Sequence, residues 1–242
     1  LQTQIEAAVA GQVTTLTLQG ETSEDLTIPA GKSIVLDLNG HTLTNKTGHT
    51  ITNYGTLTIT GSGTVDNVSH ARAALYNQVG GVVTLDGGTY TRSKENGKSK
   101  EDSGNNSYYN IVNWGEMTIN AGVTVLQNGN FSSMIENGFY NGNGKTNNPK
   151  LTINGGTFSG GLNTVKNDDR GVLEIVDGTF TNVQQAAVLN WNETTIKGGT
   201  FTANDKADAV ILNGHIDNDA DQGKLTITGG TFTGTGNTNI IQ

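Results

Sequence analysis

Residues 151–180 read LTINGGTFSG GLNTVKNDDR GVLEIVDGTF, and this stretch contains one complete sequence repeat. An apolar–polar–apolar strand is followed by a Gly turn and then by Thr with a large apolar residue. The Thr before the large residue lies at positions 157, 179 and 200, so successive copies are 22 and 21 residues apart. A period of this length is typical of one coil of a solenoid with three short strands.

The same signature recurs along the chain, and the longer intervals are the same unit with a loop inserted. The pairs of Thr and large residue are Thr42-Leu43, Thr64-Val65, Thr89-Tyr90, Thr124-Val125, Thr157-Phe158, Thr179-Phe180, Thr200-Phe201 and Thr231-Phe232. Because like residues stack on like residues in a solenoid, we expect the large side chains to form an internal column. We predict about eight coils, each rising about 4.8 Å.

A second marker has the same period. One Asn follows an apolar segment in each successive copy, at Asn53, Asn77, Asn113, Asn137, Asn167, Asn190 and Asn213. Stacked amides can each donate a hydrogen bond to the next, as in other ladders of amide side chains. The pattern predicts a single interior row of asparagines.

Composition agrees with a thin, repetitive core. The chain has 242 residues with 34 Gly, 2 Pro, no Cys and only 33% hydrophobic residues, which is too few to fill one large spherical core. We therefore predict an all-β fold, a right-handed single-stranded parallel β-helix, with residues 1–242 forming one domain. Residues 1–10 should form a capping helix over the open end of the core, because Leu1, Ile5, Ala8 and Val9 share one helical face. Residues 239–242 look like the start of another coil, so we expect the native protein to continue beyond Gln242.

The formal net charge of −8 argues against nucleic acid or an anionic membrane surface as the partner. No apolar run is long enough to suggest membrane insertion. The lack of cysteine excludes a disulfide framework and a cysteine zinc site.

Three segments carry a resemblance to a known family: residues 28–32 (IPAGK), 36–43 (LDLNGHTL) and 53–59 (NYGTLTI). They resemble pectate-lyase-like right-handed β-helix domains, in particular those in large surface proteins of gut Gram-positive bacteria. The resemblance implies the fold and an extracellular location on a bacterial cell surface. It leaves the activity open, because such relatives include lyases, galacturonases and adhesins.

An enzyme of this resemblance gathers acidic and basic residues from neighbouring coils on one face. The candidates follow the Asn row: Asp168, Asp169 and Arg170 in one coil, Glu193 in the next, and Asp217, Asp219 and Asp221 after that. If the chain cleaves polysaccharides, as a lyase or a hydrolase, Asp168, Asp169, Asp217 and Asp219 are the expected catalytic groups. The competing interpretation, which we favour, is a solvated acidic face on an acidic protein.

Calcium is the cofactor that the sequence suggests. Residues 217–223 read DNDADQG, and the alternating carboxylates Asp217, Asp219 and Asp221 before Gly223 are similar to an oxygen-lined calcium loop. The Gly comes one residue later than in the EF-hand pattern, and position twelve is Thr228. We favour an Asp/Asn-rich surface turn without metal and therefore expect no cofactor, with calcium as the alternative.

Aromatic residues occur close to the Asn row. Tyr54, Trp114 and Trp191 each directly follow an Asn of the row, and Phe139 and Tyr140 lie in a loop between the two tryptophans. Exposed rings in this position can stack on sugars or anchor a protein partner, but they can also simply cover the turn. The polar insertion from Arg92 to Asn110 is a second place where recognition can occur, and a tolerated insertion without a binding role is the alternative.

The preferred interpretation is a non-catalytic cell-surface binding or adhesion module, monomeric within a longer multidomain chain. Its partner would be a host protein, such as an immunoglobulin or mucin, or a host glycan. The alternatives are a polysaccharide lyase or hydrolase, and a structural spacer that binds nothing.

Overall fold

The computed structural model describes residues 1–95, 108–130, 132–142, 144–214, 223–236 and 238–242. Within these residues the strands form three parallel sheets of nine strands each, preceded by one short helix, Gln2–Ala7. The chain visits the three sheets in turn and then starts the next coil, so that each strand pairs with its counterpart one coil earlier and one coil later. This is a right-handed parallel β-helix, and the predicted fold class is confirmed.

We name the sheets A, B and C in the order in which the chain enters them. Sheet A consists of Val13–Thr17, Ser33–Asp37, Thr56–Thr60, Val82–Leu85, Glu116–Ile119, Lys150–Ile153, Val172–Ile175, Glu193–Ile196 and Lys224–Ile227. Sheet B consists of Thr22–Ser23, Thr42–Thr44, Thr64–Asp66, Thr89–Thr91, Thr124–Gln127, Thr157–Gly160, Thr179–Val183, Thr200–Ala203 and Thr231–Thr233. Sheet C consists of Leu26–Ile28, Ile51–Asn53, Leu75–Asn77, Ile111–Asn113, Ile135–Asn137, Asn163–Asn167, Ala186–Asn190, Ala209–Asn213 and Asn239–Ile241.

The predicted column of large residues lies inside sheet B. Each member from Leu43 to Phe232 pairs in register with the next. The rings of Phe158, Phe180 and Phe201 stack face to face, with centroids 4.7 and 4.6 Å apart and planes within 4°. This ring spacing matches the rise of about 4.8 Å per coil, because one ring is contributed by each coil.

The predicted row of asparagines lies inside sheet C. Each Nδ2 donates to Oδ1 of the Asn one coil later, over 2.8 to 3.0 Å, from Asn53 through to Asn213. The first six asparagines of the row, from Asn53 to Asn190, are fully buried. Their amide–amide hydrogen bonds therefore replace the hydrogen bonds to water that these side chains lose on folding. The predicted interior row is confirmed.

The repeat begins one coil earlier than the sequence pattern indicates. Val13–Thr17, Thr22–Ser23 and Leu26–Ile28 form a first coil, which gives nine strands per sheet in the described residues rather than about eight coils. This coil escapes the pattern because Thr22, not a large apolar residue, pairs with Leu43 in sheet B. Asn239–Ile241 is the ninth strand of sheet C and pairs with Ala209–Asn213.

The N-terminal helix is shorter than predicted and spans Gln2–Ala7. Ile5 is buried in the core of the β-helix, with Leu1 packed against it, as expected for a cap. Val9 is 57% exposed, so its predicted place on the apolar face is wrong, because the helix ends before it. The Lys32 ammonium donates to the carbonyls of Glu6 and Ala8, where the helix ends and its dipole favours a cation.

Glycine at the corner between sheets C and A lets successive coils approach closely. A Cβ on Gly115 would lie 2.2 Å from the carbonyl oxygen of Gly81 in the coil before it. Only a residue without a side chain fits this contact, which explains the Gly that follows the Asn row in many coils.

Candidate functional site

The outer face of sheet C carries two adjacent columns of side chains. The residue directly before each row Asn points outward, and the strand register places Thr52, Tyr76, Val112, Glu136, Lys166, Leu189 and Leu212 in one column. The residue directly after each row Asn donates its backbone N–H to the carbonyl one coil earlier. The second column is therefore Tyr54, Gln78, Trp114, Gly138, Asp168, Trp191 and Gly214.

The first column is covered rather than exposed over its middle coils. Val112, Glu136, Lys166 and Leu189 are each at most 8% exposed, although they point away from the core. Tyr109 packs on Val112, and the ring of Tyr140 lies 5.2 Å from the Lys166 ammonium. Side chains from the intervening segments thus fold over the face and make a partly enclosed site there.

The structure groups the predicted aromatic residues but exposes them unequally. Tyr54, Trp114 and Trp191 occupy the same column, as predicted. Tyr54 is 44% and Tyr140 75% exposed, whereas Trp114 and Trp191 are half-buried. Phe139 is buried, so of the two alternatives its ring fits the one in which the aromatic covers the turn. Its ring packs 5.3 Å from Trp114 and 5.0 Å from the Lys145 ammonium, which makes it a support for Trp114.

A cavity of about 180 Å³ opens beside Trp114. Tyr76 lies in its wall and makes edge-to-face contacts with His49, at 4.7 Å, and with Trp114, at 4.9 Å. The remaining lining comprises Ala71, Arg72, Ala73, Tyr108, Tyr109, Val112 and Glu136. The indole N–H of Trp114 is buried and has no acceptor among the described residues.

The base of the insertion contributes two of these rings. Arg92 is buried and donates to the carbonyl of Tyr108 over 3.0 Å, which ties the two ends of the insertion together. Tyr108 and Tyr109 are thereby held at the cavity. Residues 96–107 of the insertion lie outside the described residues.

His49 is held neutral at the cavity wall. Burial first, and then the nearby Arg72 guanidinium, lower the pKa of His49 to about 4. Its Nδ1 accepts the backbone N–H of Ala73 over 2.9 Å. A neutral ring with Nδ1 as acceptor carries its proton on Nε2, so His49 offers one hydrogen-bond donor.

Two buried carboxyl groups lie next to the cavity. Burial, together with the charge of Asp168, raises the pKa of Glu136 to about 8. Burial also raises the pKa of Asp168, while the Lys166 ammonium, 2.8 Å from Oδ2, opposes that rise. Because the pKa of Glu136 is about 8, its carboxyl group holds a proton at neutral pH, next to the Lys166 ammonium and the Asp168 carboxylate.

Of the predicted catalytic residues, Asp168 and Asp169 lie in the described part of the chain, and both accept backbone N–H groups. Asp168 is fully buried beneath the loop, and Asp169 accepts the backbone N–H of Gly142 over 2.8 Å. Arg170 donates to the carbonyls of Thr146 and Asn147, so Asp169 and Arg170 both anchor the loop that follows Phe139. Glu193 lies in sheet A and pairs with Lys224 at 3.3 Å. Asp217, Asp219 and Asp221 lie outside the described residues.

Sequence reasoning missed Tyr76, His49, Arg72 and Glu136. A usable signal was present for Tyr76 and Glu136, because each directly precedes an Asn of the interior row and must point outward. No period marks His49 and Arg72, which are brought in by loops.

The described residues contain no group of three or more His, Cys, Asp or Glu side chains placed to hold a metal ion. Among the helices of the described chain, none has the length and apolar character needed to cross a membrane. Comparison of the chain with protein-family models, with curated proteins and with solved structures found no match in any of the three.

Proposed function

We propose that this chain is a non-catalytic binding module of a bacterial cell surface, and that the outer face of sheet C recognises a host glycan. The observation that carries the proposal is the cavity beside Trp114. It combines aromatic rings with polar groups from Arg72, His49 and Glu136. This is the combination that sugar-binding sites use, because ring faces pack on the apolar side of a sugar while polar groups bind its hydroxyls.

A glycan fits this site better than a flat protein surface does. The cavity is concave, and its volume of about 180 Å³ is small compared with pockets for drug-sized ligands. Protein partners are recognised over much larger areas, with anchors surrounded by a broad rim. Binding of an immunoglobulin or a mucin protein backbone would therefore use another surface.

Polysaccharide cleavage is the alternative that the buried carboxyl groups raise. Glycosidases keep two carboxyl groups about 5–9.5 Å apart, so that the sugar and water fit between them. Asp168 is fully buried and does not line the cavity, whereas Glu136 does, so this pair does not hold a sugar and a water between its two carboxyl groups.

A glycan array probed with the purified chain tests the proposal. We expect binding that Trp114→Ala abolishes, that Trp191→Ala reduces less, and that Val82→Ala leaves unchanged. Val82 is a matched control because it is an exposed apolar residue of sheet A. Circular dichroism spectra must show that each variant is folded.

Parallel assays separate the alternatives. The chain is incubated with acidic and neutral polysaccharides, with and without calcium. Cleavage that is lost in Asp169→Ala would show that the chain is an enzyme and not a binding module. Binding to no glycan would overturn the proposed function and leave a protein partner on another surface, or a spacer that binds nothing, as the explanation.

A further inference from the structure

The cavity beside Trp114 is rich in hydrogen-bond donors. Arg72 is exposed at its rim, His49 offers Nε2–H, and the Trp114 indole N–H has no acceptor among the described residues. Burial raises the pKa values of Tyr76 and Tyr109, so their hydroxyl groups remain protonated donors. A ligand that satisfies this set must be rich in acceptors.

The charge around the cavity favours an anion, although the whole chain is acidic. The Lys145 ammonium lies 5.4 Å from the Trp114 ring, and Arg92 lies 5.7 Å from the ring of Tyr108. Within the described residues, Arg72 and Lys145 have no carboxylate at ion-pair distance, whereas Arg92 and Lys166 are paired with Glu95 and Asp168. Among the described residues, Arg72 and Lys145 thus contribute positive charge beside the rings that no ion pair neutralises.

Glu136 does not oppose an anion at neutral pH. It is the carboxyl group that lines the cavity, and burial together with the neighbouring Asp168 raises its pKa to about 8. Lys166 and Arg72 add positive charge around it, and Tyr76, Tyr109 and His49 are neutral near pH 7. Two carboxylates lie nearby: Asp168 pairs with the Lys166 ammonium at 2.8 Å, and Asp25, which acts on His49, accepts the backbone N–H groups of Lys46, Thr47 and Gly48.

We propose that this cavity binds one sugar residue carrying an anionic group, a carboxylate or a sulfate ester, with the anion on Arg72 and the sugar ring against Trp114 and Tyr76. The inference rests on the proposed glycan-binding function and names its ligand class. The small volume of the cavity limits the enclosed part of the ligand to a single ring, so the remainder of the glycan lies outside. Guanidinium is suited to the task because it binds both oxygens of a carboxylate or sulfate.

Calorimetric titration with three related probes tests this assignment: lactose, sialyllactose and sulfated lactose. We expect at least one anionic probe to bind ten-fold or more tightly than lactose. Comparing sialyllactose with sulfated lactose then distinguishes a carboxylate ligand from a sulfate ligand. Arg72→Ala should remove that preference, and Arg72→Lys should retain part of it. Lys206→Ala is the matched control, because it removes one positive charge from an exposed site several coils away.

The pH dependence of the affinity gives a second test. It would be absent if Arg72 only stabilised the fold and did not contact the anion. The affinity for the anionic probe should fall as the pH rises through about 8, because the Glu136–Asp168 pair then gains a negative charge. Glu136→Gln should remove that fall.

The outcomes separate the two proposals. Equal binding of lactose and both anionic probes, or an anionic preference that survives Arg72→Ala, would overturn the ligand assignment. Glycan binding that requires Trp114 but has the same affinity with and without the anionic group would also overturn the ligand assignment. It would leave the proposed function intact. Absence of binding to any glycan on the array would overturn both.

Discussion

At the scale of single residues, the interior asparagines show why one side chain recurs in seven coils. The amide of Asn137 donates to Oδ1 of Asn167 and to the carbonyl of Val172, and its own Oδ1 accepts from Asn113. Asn is suited to this place because one amide is both donor and acceptor in a line. Aspartate would place like charges directly above one another in a dry interior.

Replacing Asn137 with Ala should therefore be costly. The change removes these bonds and leaves buried partners unsatisfied, for which we expect a loss of about 2–4 kcal/mol in the free energy of unfolding. Urea denaturation measures it, with Asn148→Ala, an exposed asparagine, as the control. Equal midpoints for the two variants would contradict the role of the ladder.

Glu136 should make the stability of the fold depend on pH. Its folded pKa of about 8 lies above the ordinary value of 4.5, so between these values the folded chain holds a proton that the unfolded chain has released. Stability is therefore highest at the acidic end of this window and falls as the pH rises towards 8, by at most about 1.4 kcal/mol per pH unit.

Glu136→Gln should flatten that decline, because glutamine does not titrate. Denaturation midpoints measured across the window test this, with Glu116→Gln on the exposed face of sheet A as the control. A decline that is equally steep in Glu136→Gln and in the unchanged chain would mean that the carboxyl group ionises normally.

At the scale of the elements, the stacked rings inside sheet B tie neighbouring coils together. Phe180 is fully buried between Phe158 and Phe201, whereas Phe232 is only partly buried and stacks on Phe201 in the last coil. Phe180→Ala should cost about 3–5 kcal/mol, because it opens a cavity across three coils. Phe232→Ala should cost clearly less, and thermal or urea unfolding that ranked the two variants the other way would contradict the packing.

The loop that follows Phe139 depends on Asp169 for its position. Removing this carboxylate in Asp169→Ala frees the N–H of Gly142, so amide hydrogen exchange at Gly142 and its neighbours should become faster. Global stability should change by less than about 0.5–1 kcal/mol, because the ladder and core are untouched. Unchanged exchange at Gly142, with Asp205→Ala as the exposed control, would show that other contacts hold the loop.

At the scale of the whole molecule, the inside of the rod could be predicted from sequence and the outside only in part. The sequence period identifies every residue that stacks on its equivalent in the next coil, such as Asn113 on Asn137 and Phe158 on Phe180. The first coil was missed because Thr22 occupies a position that elsewhere holds a large apolar side chain. Thr194 is a similar exception, since it fills an apolar position and bonds to Asn190.

The site followed no such rule, because loops of unequal length build it. The sequence left open whether Phe139 is exposed or covers the turn, and in the structure the loop packs its ring against Trp114. Arg72 and His49 reach the cavity from loops that lack the repeat, and Ala71 beside them has a left-handed backbone, φ 59°. The burial that shifts the pKa of Glu136 depends on packing over an outward-facing position, which the strand period alone assigns to solvent.

The most direct test of the account is an NMR titration of the chain's two tryptophan indole N–H signals. With the glycan that binds most tightly on the array, we predict that the Trp114 signal moves and that the Trp191 signal moves less. Trp114 lines the cavity, whereas Trp191 lies three coils away with its ring covered by the Lys166 ammonium at 3.9 Å. Binding that leaves the Trp114 signal in place would contradict the claim that this face of sheet C recognises the ligand.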